Sequence, residues 1–497
     1  MRFTRWNGPR NVLAVAGLTL AAIAGSGLPT ASAARVPGPA LKLEAAQRSI
    51  TLDGFGGRVF LDPGIWLAAL GSPLQFDVQR AAYTRPITIT QIIHPPFGGT
   101  IRRPLPASVL DGWNGLKDFA VLTVRDSMGQ VVLTRPVTFC PDSFDPERVS
   151  PGSPPTSPYP TTCTFDPFQK GMVWGIQKDW AVDPVEAGGF RPVKLPLGSY
   201  RVTETITPGY TKLLRIPAPD ATAAVNVKVV KSVCCPVPGC CGQVGAHRTS
   251  RSRSLSRAPD VRTMTNPPSS ALPDLVPLPA WSITVSHPRR QTHDYLNFAA
   301  TVWIGGHGPL DVQGFRSDGS PVMPAYQYFW QNGHAIGRAR AGTMGFDSQH
   351  GHNHWHFEQF ARYTLLNAAK SVAVTSHKVG FCIAPSDPVD LLLPHAVWQP
   401  SSFGPQIQCG LPTALWVDEE LPVGWGDTYF QSVAGQSFDI THLPNGTYYV
   451  QVTANPERVL YETTTRNDAS LRKVILGGTP GHRTVKVPAW HGIDPEP

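Results

Sequence analysis

The chain has 497 residues, of which 41% are hydrophobic and 16% charged, and a formal net charge of +8. Because domains usually hold about 100 to 200 residues, this length favours two folded units. Three of the positive charges are Arg2, Arg5 and Arg10, and residues 231–270 hold six basic residues against one acid. The folded parts are therefore nearly neutral, so the net charge gives no reason to predict that they bind nucleic acid.

Residues 1–33 follow the order of a secretory signal peptide. The early arginines precede an apolar run at 12–23, and small residues then lead to Ala31-Ser32-Ala33. This order predicts cleavage after Ala33 and a secreted protein, either extracellular or in the cell envelope. No later run reaches the roughly 18 apolar residues of a membrane span, so no membrane span is predicted. Disulfides are allowed in such a compartment.

Residues 45–230 consist of short apolar runs broken by Gly and Pro. The clearest candidate strands are 121–124, 131–133 and 200–202. No helical periodicity persists, so the pattern predicts a β-sandwich-like domain. Cys140 and Cys163 flank a loop rich in Pro and Ser, and we expect a disulfide between them. This half contains no recognisable catalytic constellation, and its role is left open.

Residues 231–272 have the composition of a Pro/Ser/Arg-rich flexible linker. The stretch opens with a cysteine cluster made of Cys234, Cys235, Cys240 and Cys241. Disulfides or a metal could engage these four thiols. Disulfides are favoured, because the spacing lacks the two separated CxxC pairs of a zinc ribbon.

Residues 273–485 return to strand-like alternation and predict a second β-sandwich-like domain, followed by a tail at 486–497. The candidate strands are 296–302, 361–366, 448–452 and 459–462. LPNGTYYV at 443–450 repeats the pattern of LPLGSYRV at 195–202. Both segments predict a turn that leads into a sandwich strand. The fold class expected for the whole chain is therefore all-β.

The strongest chemical signal is HGHNHWH, which places a histidine at every second position. The four histidines are His350, His352, His354 and His356. Side chains alternate between faces along a β-strand, so a strand would direct all four imidazoles to one side. Neutral imidazoles suit copper or zinc, and the pattern alone does not separate the two metals. A histidine tract without function is disfavoured by the aromatic residues that flank this one.

Several sequence blocks in this half resemble the lysyl oxidase family, and they occur in the family's order. The blocks are PDLV at 273–276, FDSQHGHNHWHFEQFARYTLLNA at 346–368, SHKVGFC at 376–382, GDTYF at 426–430, DITHLPNGTYYVQVTANP at 439–456 and YETTTRND at 461–468. The resemblance covers about residues 273–485. Ordered blocks at compatible distances are more specific than any single motif.

The resemblance implies a copper-dependent amine oxidase with a cofactor built from its own side chains. The implied copper ligands are His352, His354 and His356. Lys378 and Tyr429 match the residues that the family crosslinks as lysine tyrosylquinone. Asp427, two positions before Tyr429, is our candidate for the catalytic base. The implied reaction oxidises primary amines, including protein lysines, to aldehydes with O₂, and releases hydrogen peroxide and ammonia.

The chain also departs from the family pattern. Animal lysyl oxidase domains contain more cysteines, whereas this region has only Cys382 and Cys409, which we expect to pair. Arg362 replaces the family's histidine immediately before Tyr363. The segment between Cys382 and Tyr429 differs in sequence, so the family's substrate preference does not transfer. The oligomeric state is not indicated.

Two other functions remain open at this point. The domain could be an extracellular metal-binding or adhesion module that retains the fold without building the cofactor. It could also be a zinc hydrolase in which Glu358 acts as the base. The presence of both Lys378 and Tyr429 in matching blocks favours the oxidase over either alternative.

Overall fold

A computed structural model describes residues 38–143, 145–164, 166–187, 192–231, 260–288, 292–316, 320–348, 353–400 and 409–496. The predicted signal peptide, the cysteine cluster of the linker and two histidines, His350 and His352, lie outside these ranges. The domain boundaries at 33, 230 and 272 therefore stay predictions.

The N-terminal half contains fifteen described strands and two short helices. They are β1 (Ala40–Ala45), β2 (Ser49–Phe55), β3 (Arg58–Val59), β4 (Ile65–Leu70), β5 (Leu74–Gln79), β6 (Thr88–Ile93), β7 (Ile101–Leu105), β8 (Leu116–Arg125), β9 (Val131–Phe139), β10 (Glu147–Arg148), β11 (Gly171–Ile176), β12 (Trp180–Val182), α1 (Pro184–Ala187), β13 (Val193–Lys194), β14 (Gly198–Ile206), α2 (Pro208–Leu214) and β15 (Thr222–Lys231). They form three sheets, with strand orders β1-β4-β12-β10, β11-β5-β6-β7 and β13-β3-β2-β15-β14-β8-β9.

The described part of the C-terminal half contains sixteen strands. They are β16 (Leu275–Pro277), β17 (Trp281–Ser286), β18 (Tyr295–Ile304), β19 (Leu310–Phe315), β20 (Val322–Gln331), β21 (His334–Asp347), β22 (His354–Phe357), β23 (Ala361–Leu366), β24 (Val372–Thr375), β25 (Asp387–Pro388), β26 (Trp416–Leu421), β27 (Trp425–Tyr429), β28 (Ser437–Asp439), β29 (Gly446–Ala454), β30 (Ala469–Thr479) and β31 (His482–Lys486). Three sheets result, with orders β16-β18-β27-β25, β22-β21-β20-β19-β26 and β24-β23-β29-β30-β31; β17 and β28 also pair with β18.

Alternating burial explains why these segments fold as strands. In β29, Tyr448, Val450 and Val452 are buried while the residues between them are partly exposed. One face of the strand thus enters the core and the other faces outward, as in a half-buried antiparallel sheet. The all-β prediction is confirmed in both halves. No helix among the described residues is long and apolar enough to cross a membrane.

The two repeated segments have the same local geometry, which confirms a turn that leads into a strand. The hydroxyl of Tyr200 donates to the carbonyl of Pro196 at 2.8 Å, and that of Tyr448 donates to the carbonyl of Pro444 at 2.9 Å. Each tyrosine therefore anchors the start of its strand to the turn before it, as tyrosine corners do in β-sandwiches.

The strand predicted at 459–462 is wrong, because this segment belongs to the irregular connection between β29 and β30. Its backbone groups pair with side chains instead of a neighbouring strand. Tyr461 donates its N–H to Gln327 Oε1 at 2.7 Å and accepts a hydrogen bond from Gln327 Nε2 at 2.9 Å. Asn455 likewise bonds the backbone N–H and carbonyl of Leu460. Amide side chains thus replace a strand partner here.

Residues 37–497 group as one compact unit, so the two halves pack against each other. Lys170 and Gly171 of the N-terminal half both donate backbone hydrogen bonds to the carbonyl of Val389, at 2.8 and 3.0 Å. Leu391 returns a backbone bond to the carbonyl of Gly171 at 2.9 Å. The chain thus forms strand-like pairing directly across the boundary between the halves.

Candidate functional site

The histidine segment is part of a strand in the structure, but a shorter strand than the sequence predicts. Strand β22 begins at His354, and Asn353 before it has a left-handed φ of 57°. Regular alternation therefore does not extend back from His354 through Asn353. The prediction of one continuous strand through all four histidines is wrong at this residue, because a left-handed backbone is not the extended conformation of a strand.

Within β22, His354 and His356 project to the same side, as alternation predicts. Their Nε2 atoms are 3.0 Å apart, and their ring centroids are 4.7 Å apart. Trp355, between them, is fully buried and anchors the opposite face. The two rings therefore present ring nitrogens to one shared point.

This pair fits a copper or zinc ion. Metal–imidazole bonds of about 2.0–2.1 Å place neighbouring donor nitrogens roughly 2.9 to 3.4 Å apart in square-planar or tetrahedral geometry. The observed separation of 3.0 Å lies in that range. Asp347 Oδ2 lies 3.7 Å from His356 Nδ1, where a carboxylate can orient a ligating ring. The third implied ligand, His352, lies outside the described residues, and within them no group of three or more His, Cys, Asp or Glu side chains could hold a metal.

The segment that carries Lys378 lies against the histidine strand. Phe357 and Phe381 exchange backbone hydrogen bonds of 2.8 and 3.0 Å. The approach is so close at Gly380 that an added Cβ would lie 2.8 Å from His356 Cβ and 3.2 Å from its Nδ1. A glycine is therefore needed where this segment passes the His356 ring.

Lys378 is buried against aromatic rings. Its Nζ lies 4.5 Å from the centroid of the Tyr429 ring and 5.0 Å from that of Phe381, and the residue is 7% exposed. Burial lowers the pKa of the Lys378 amine to about 8, while the nearby Asp427 and Asp347 carboxylates act in the opposite direction. The amine is thus far easier to deprotonate than an ordinary lysine.

Strand β27 places Asp427 and Tyr429 on one face of its sheet. The strand pairs with β18 in the register Ala300↔Tyr429 and Val302↔Asp427. The Tyr429 hydroxyl donates to the carbonyl of Cys382 at 2.9 Å. Burial raises the pKa of Asp427 well above its usual value, and this is opposed by the Lys378 charge and by a hydrogen bond with Tyr429. Burial also raises the pKa of Tyr429.

Sequence reasoning missed Glu419, a fully buried carboxyl group linked to the same site. Its Oε2 accepts the backbone N–H of Ile383 at 3.0 Å. That N–H belongs to the peptide unit whose carbonyl, from Cys382, accepts the Tyr429 hydroxyl. One peptide unit thus connects the tyrosine to a buried acid. The signal was an acid in register with Val417 and Leu421 on the buried face of β26.

The remaining predicted residues are the cysteines of the two expected disulfides and Glu358. The expected disulfides Cys140–Cys163 and Cys382–Cys409 are both present. The second disulfide belongs to the segment that follows Lys378. Glu358 is exposed, and its Oε2 accepts a hydrogen bond from Thr343 Oγ1 at 2.6 Å.

Fold and site together define an all-β domain with a histidine pair on one strand and a buried lysine packed on a neighbouring tyrosine ring. Residues 325–482 match the family model described as lysyl oxidase.

Relatives of the same family match this region. Lysyl oxidase homolog 2 of Xenopus tropicalis is 28% identical over 139 residues, and that of Homo sapiens is 27% identical over 138 residues; each match covers 28% of this chain. Lysyl oxidase homolog 4 of Bos taurus is 29% identical over 141 residues, or 27% of this chain. In each case the match spans 16% of the relative's own length.

Proposed function

We propose that the C-terminal half is a copper-dependent amine oxidase that builds lysine tyrosylquinone from Lys378 and Tyr429. The observation that carries this proposal is the 4.5 Å separation between Lys378 Nζ and the centroid of the Tyr429 ring. The family match supports an amine oxidase of the copper type at a general level. The substrate is a primary amine, either free or in the side chain of a protein lysine, and the protein acts outside the cytoplasm.

The histidine strand would hold the metal through His354 and His356, with His352 as the third ligand. Bound copper, together with dioxygen, supplies the oxidising power that converts the Tyr429 phenol to a quinone. The hydroxyl of Tyr429 is held by the carbonyl of Cys382 before this conversion. The two neighbouring Nε2 atoms on β22 support this assignment.

Lys378 must be uncharged to form a carbon–nitrogen bond with the oxidised ring. Burial against Tyr429 and Phe381 withholds water from its amine and lowers its pKa to about 8, so a substantial fraction is neutral near physiological pH. The distance to the ring is within the reach of a flexible lysine side chain. Burial disfavours the protonated form of Lys378, and the neutral amine that results is the form that can act as a nucleophile.

When formed, the crosslink of Lys378 and Tyr429 would provide an electrophilic carbonyl and the capacity to take up two electrons. Asp427 is the candidate base for the α-proton of the substrate, because it lies on the same strand face as Tyr429 and is buried. Its Oδ2 has no hydrogen-bond partner in the described part of the chain. Overall, RCH₂NH₂, O₂ and H₂O would yield RCHO, NH₃ and H₂O₂.

The test measures hydrogen peroxide release from primary amines by copper-loaded protein. We expect release that a copper chelator abolishes and that Lys378→Ala reduces to background. Lys370→Ala is the matched control, because Lys370 Nζ also lies near a tyrosine ring, 6.0 Å from the Tyr449 centroid, but is exposed. Peroxide release that persists in Lys378→Ala would contradict the proposal.

The same assay separates the other two functions. Copper binding without peroxide from any amine would favour a metal-binding module. Metal-dependent hydrolysis without peroxide would favour a zinc hydrolase. Glu358 would be the base of that hydrolase. Its side chain is exposed and accepts a hydrogen bond from Thr343, so its surroundings do not support this role.

A further inference from the structure

The N-terminal half contacts the sheet that carries Asp427 and Tyr429 through a buried row of polar side chains. On β27, Asp427 and Tyr429 face one side of the sheet, so Thr428 between them faces the other. Thr428 Oγ1 lies 2.8 Å from Thr301 Oγ1 on the neighbouring strand β18. It also donates to Asp387 Oδ2 on β25, on its other side, at 3.0 Å. Three adjacent strands thus share one row of polar groups behind the candidate site.

Two residues of the N-terminal half complete this row. Asp166 Oδ2 lies 2.7 Å from Thr301 Oγ1, and Thr164 Oγ1 donates to Asp387 Oδ1 at 3.1 Å. All five residues of the row are buried: Thr164, Asp166, Thr301, Asp387 and Thr428. Within the N-terminal half, Asp166 is fixed by the backbone N–H of Phe168 at 2.8 Å.

We propose that the N-terminal half positions the quinone-forming tyrosine, Tyr429. Asp166 and Thr164 hold the face of strand β27 that lies opposite Tyr429. They do so through the side chains of Thr301, Asp387 and Thr428. This inference rests on the proposed oxidase function and assigns a role to the half that contains no catalytic constellation. A strand held on one face keeps the side chains of its other face in register, and crosslink formation needs Tyr429 held close to Lys378.

The hydrogen count of the row predicts which substitution Asp166 tolerates. Four oxygen–oxygen contacts join the five residues, but their three hydroxyl groups supply only three hydrogens. Thr301 donates to Asp166 Oδ2 and Thr428 donates to Asp387 Oδ2, so the contact between the two threonines is the one without a hydrogen. An uncharged group at position 166 that donates to Thr301 would leave the Thr301 hydrogen for Thr428. An asparagine amide can donate to Thr301 and accept from Phe168, whereas an alanine can do neither.

The test compares Asp166→Ala with Asp166→Asn in the full chain loaded with copper. Asp142→Ala is the matched control, because Asp142 is also a buried N-terminal aspartate and accepts a backbone N–H, from Gly175 at 2.9 Å. Two quantities are measured at equal folded protein. One is amide hydrogen exchange in the peptide 425–430, and the other is the fraction of Lys378 crosslinked to Tyr429.

We expect Asp166→Ala to speed exchange in 425–430 by roughly tenfold relative to Asp142→Ala, the size of losing one buried hydrogen-bond connection. The crosslinked fraction should fall with it, and Asp166→Asn should restore both quantities. If Asp166→Ala does not fold, Thr164→Val is the substitute, because it removes a single hydroxyl, which donates to Asp387 and accepts the backbone N–H of Asp166.

Equal exchange and equal crosslinking in Asp166→Ala and Asp142→Ala would overturn the positioning role. A natural protein that forms no crosslink would instead overturn the proposed oxidase function. In that case the exchange comparison alone still decides whether Asp166 holds β27.

Discussion

The environment of Lys378 makes a specific prediction about pH. Burial lowers the pKa of its amine from 10.5 to about 8. Below pH 8 most of the amine carries a proton and is unreactive, and above pH 8 most of it is neutral. We expect the acylation rate of Lys378 to rise about tenfold per pH unit up to about pH 8 and then to level off. Peptide mass spectrometry measures this rate after brief labelling of protein prepared without copper, in which the Lys378 amine is not crosslinked.

The same labelling on the urea-unfolded chain is the control for Lys378. There the midpoint should return towards 10.5, because the lysine is hydrated. A folded-state midpoint that matches the unfolded one would show that the amine is not desolvated. It would also remove the physical reason for calling Lys378 the nucleophile.

Gly380 gives a second prediction at the scale of one residue. Gly380→Ala would place a Cβ 2.8 Å from His356 Cβ, which forces the ring or the backbone to move. We expect copper affinity to fall about 10- to 100-fold, the usual cost of disturbing the groups that orient a ligand. Competition titration with a chelator of known affinity measures the loss.

The control for Gly380 is Gly209→Ala, whose added Cβ meets nothing within 4 Å. It should leave copper affinity unchanged. If both variants bind copper as the natural chain does, the close approach to His356 has no bearing on the metal.

At the scale of elements, the two disulfides allow a matched comparison. They close segments of similar length, with sequence separations of 23 and 27 residues. Loop-closure entropy therefore predicts a similar loss of unfolding free energy, about 3 to 4 kcal/mol, when either pair is replaced by alanines. Only the Cys382–Cys409 disulfide includes the residue whose carbonyl accepts the Tyr429 hydroxyl.

We therefore expect different effects on the cofactor. Loss of Cys382–Cys409 should reduce crosslinking of Tyr429, whereas loss of Cys140–Cys163 should not, at equal folded protein. Urea denaturation gives the stabilities and peptide mass spectrometry gives the crosslinked fractions. Equal crosslinking in the two double variants would show that cofactor formation does not depend on the contact between Tyr429 and Cys382.

The elements also show what local pattern can predict. Short runs rich in apolar residues located β8, β18 and β29. Burial alternates in β29, as in a half-buried strand, whereas β18 is buried on both faces from Phe298 onward. Alternation failed at 459–462, where the side chain of Gln327, more than 130 residues away, replaces a strand partner. It also failed at Asn353, whose backbone is left-handed, with a φ of 57°. Neither feature is encoded in the neighbouring residues alone.

At the scale of the whole molecule, the contact between the halves predicts a single unfolding transition. Gly171 lies at the centre of this contact, and a Cβ added there would lie 2.3 Å from Asp390 Oδ1. Gly171→Ala should lower the unfolding free energy by about 1 to 3 kcal/mol, the usual cost of overpacking. Gly152→Ala, in the same half but with only ordinary contacts near its added Cβ, is the control.

Calorimetry distinguishes the possible outcomes for Gly171. We expect one transition in the natural chain, which shifts to lower temperature in Gly171→Ala and stays in place in Gly152→Ala. Two separate transitions in the natural chain would contradict a cooperative contact between the halves.

Long-range organisation is where sequence reasoning reached its limit. Ordered motif blocks indicated Lys378 and Tyr429 as partners, and the structure brings them together. The blocks gave no sign of Glu419, because a buried acid next to Asp418 and Glu420 resembles a solvated charge run. They also gave no sign of Asp166, which accepts a hydrogen bond from Thr301, 135 residues further along the chain. Such contacts depend on the packing of whole sheets.

The central claim is that Lys378 and Tyr429 become one cofactor, and peptide mass spectrometry of copper-loaded protein tests it most directly. We expect a single crosslinked species that contains the Lys378 and Tyr429 peptides, absent from protein prepared without copper and from Lys378→Ala. Recovery of the two peptides as separate, unmodified species from the copper-loaded natural chain would contradict it.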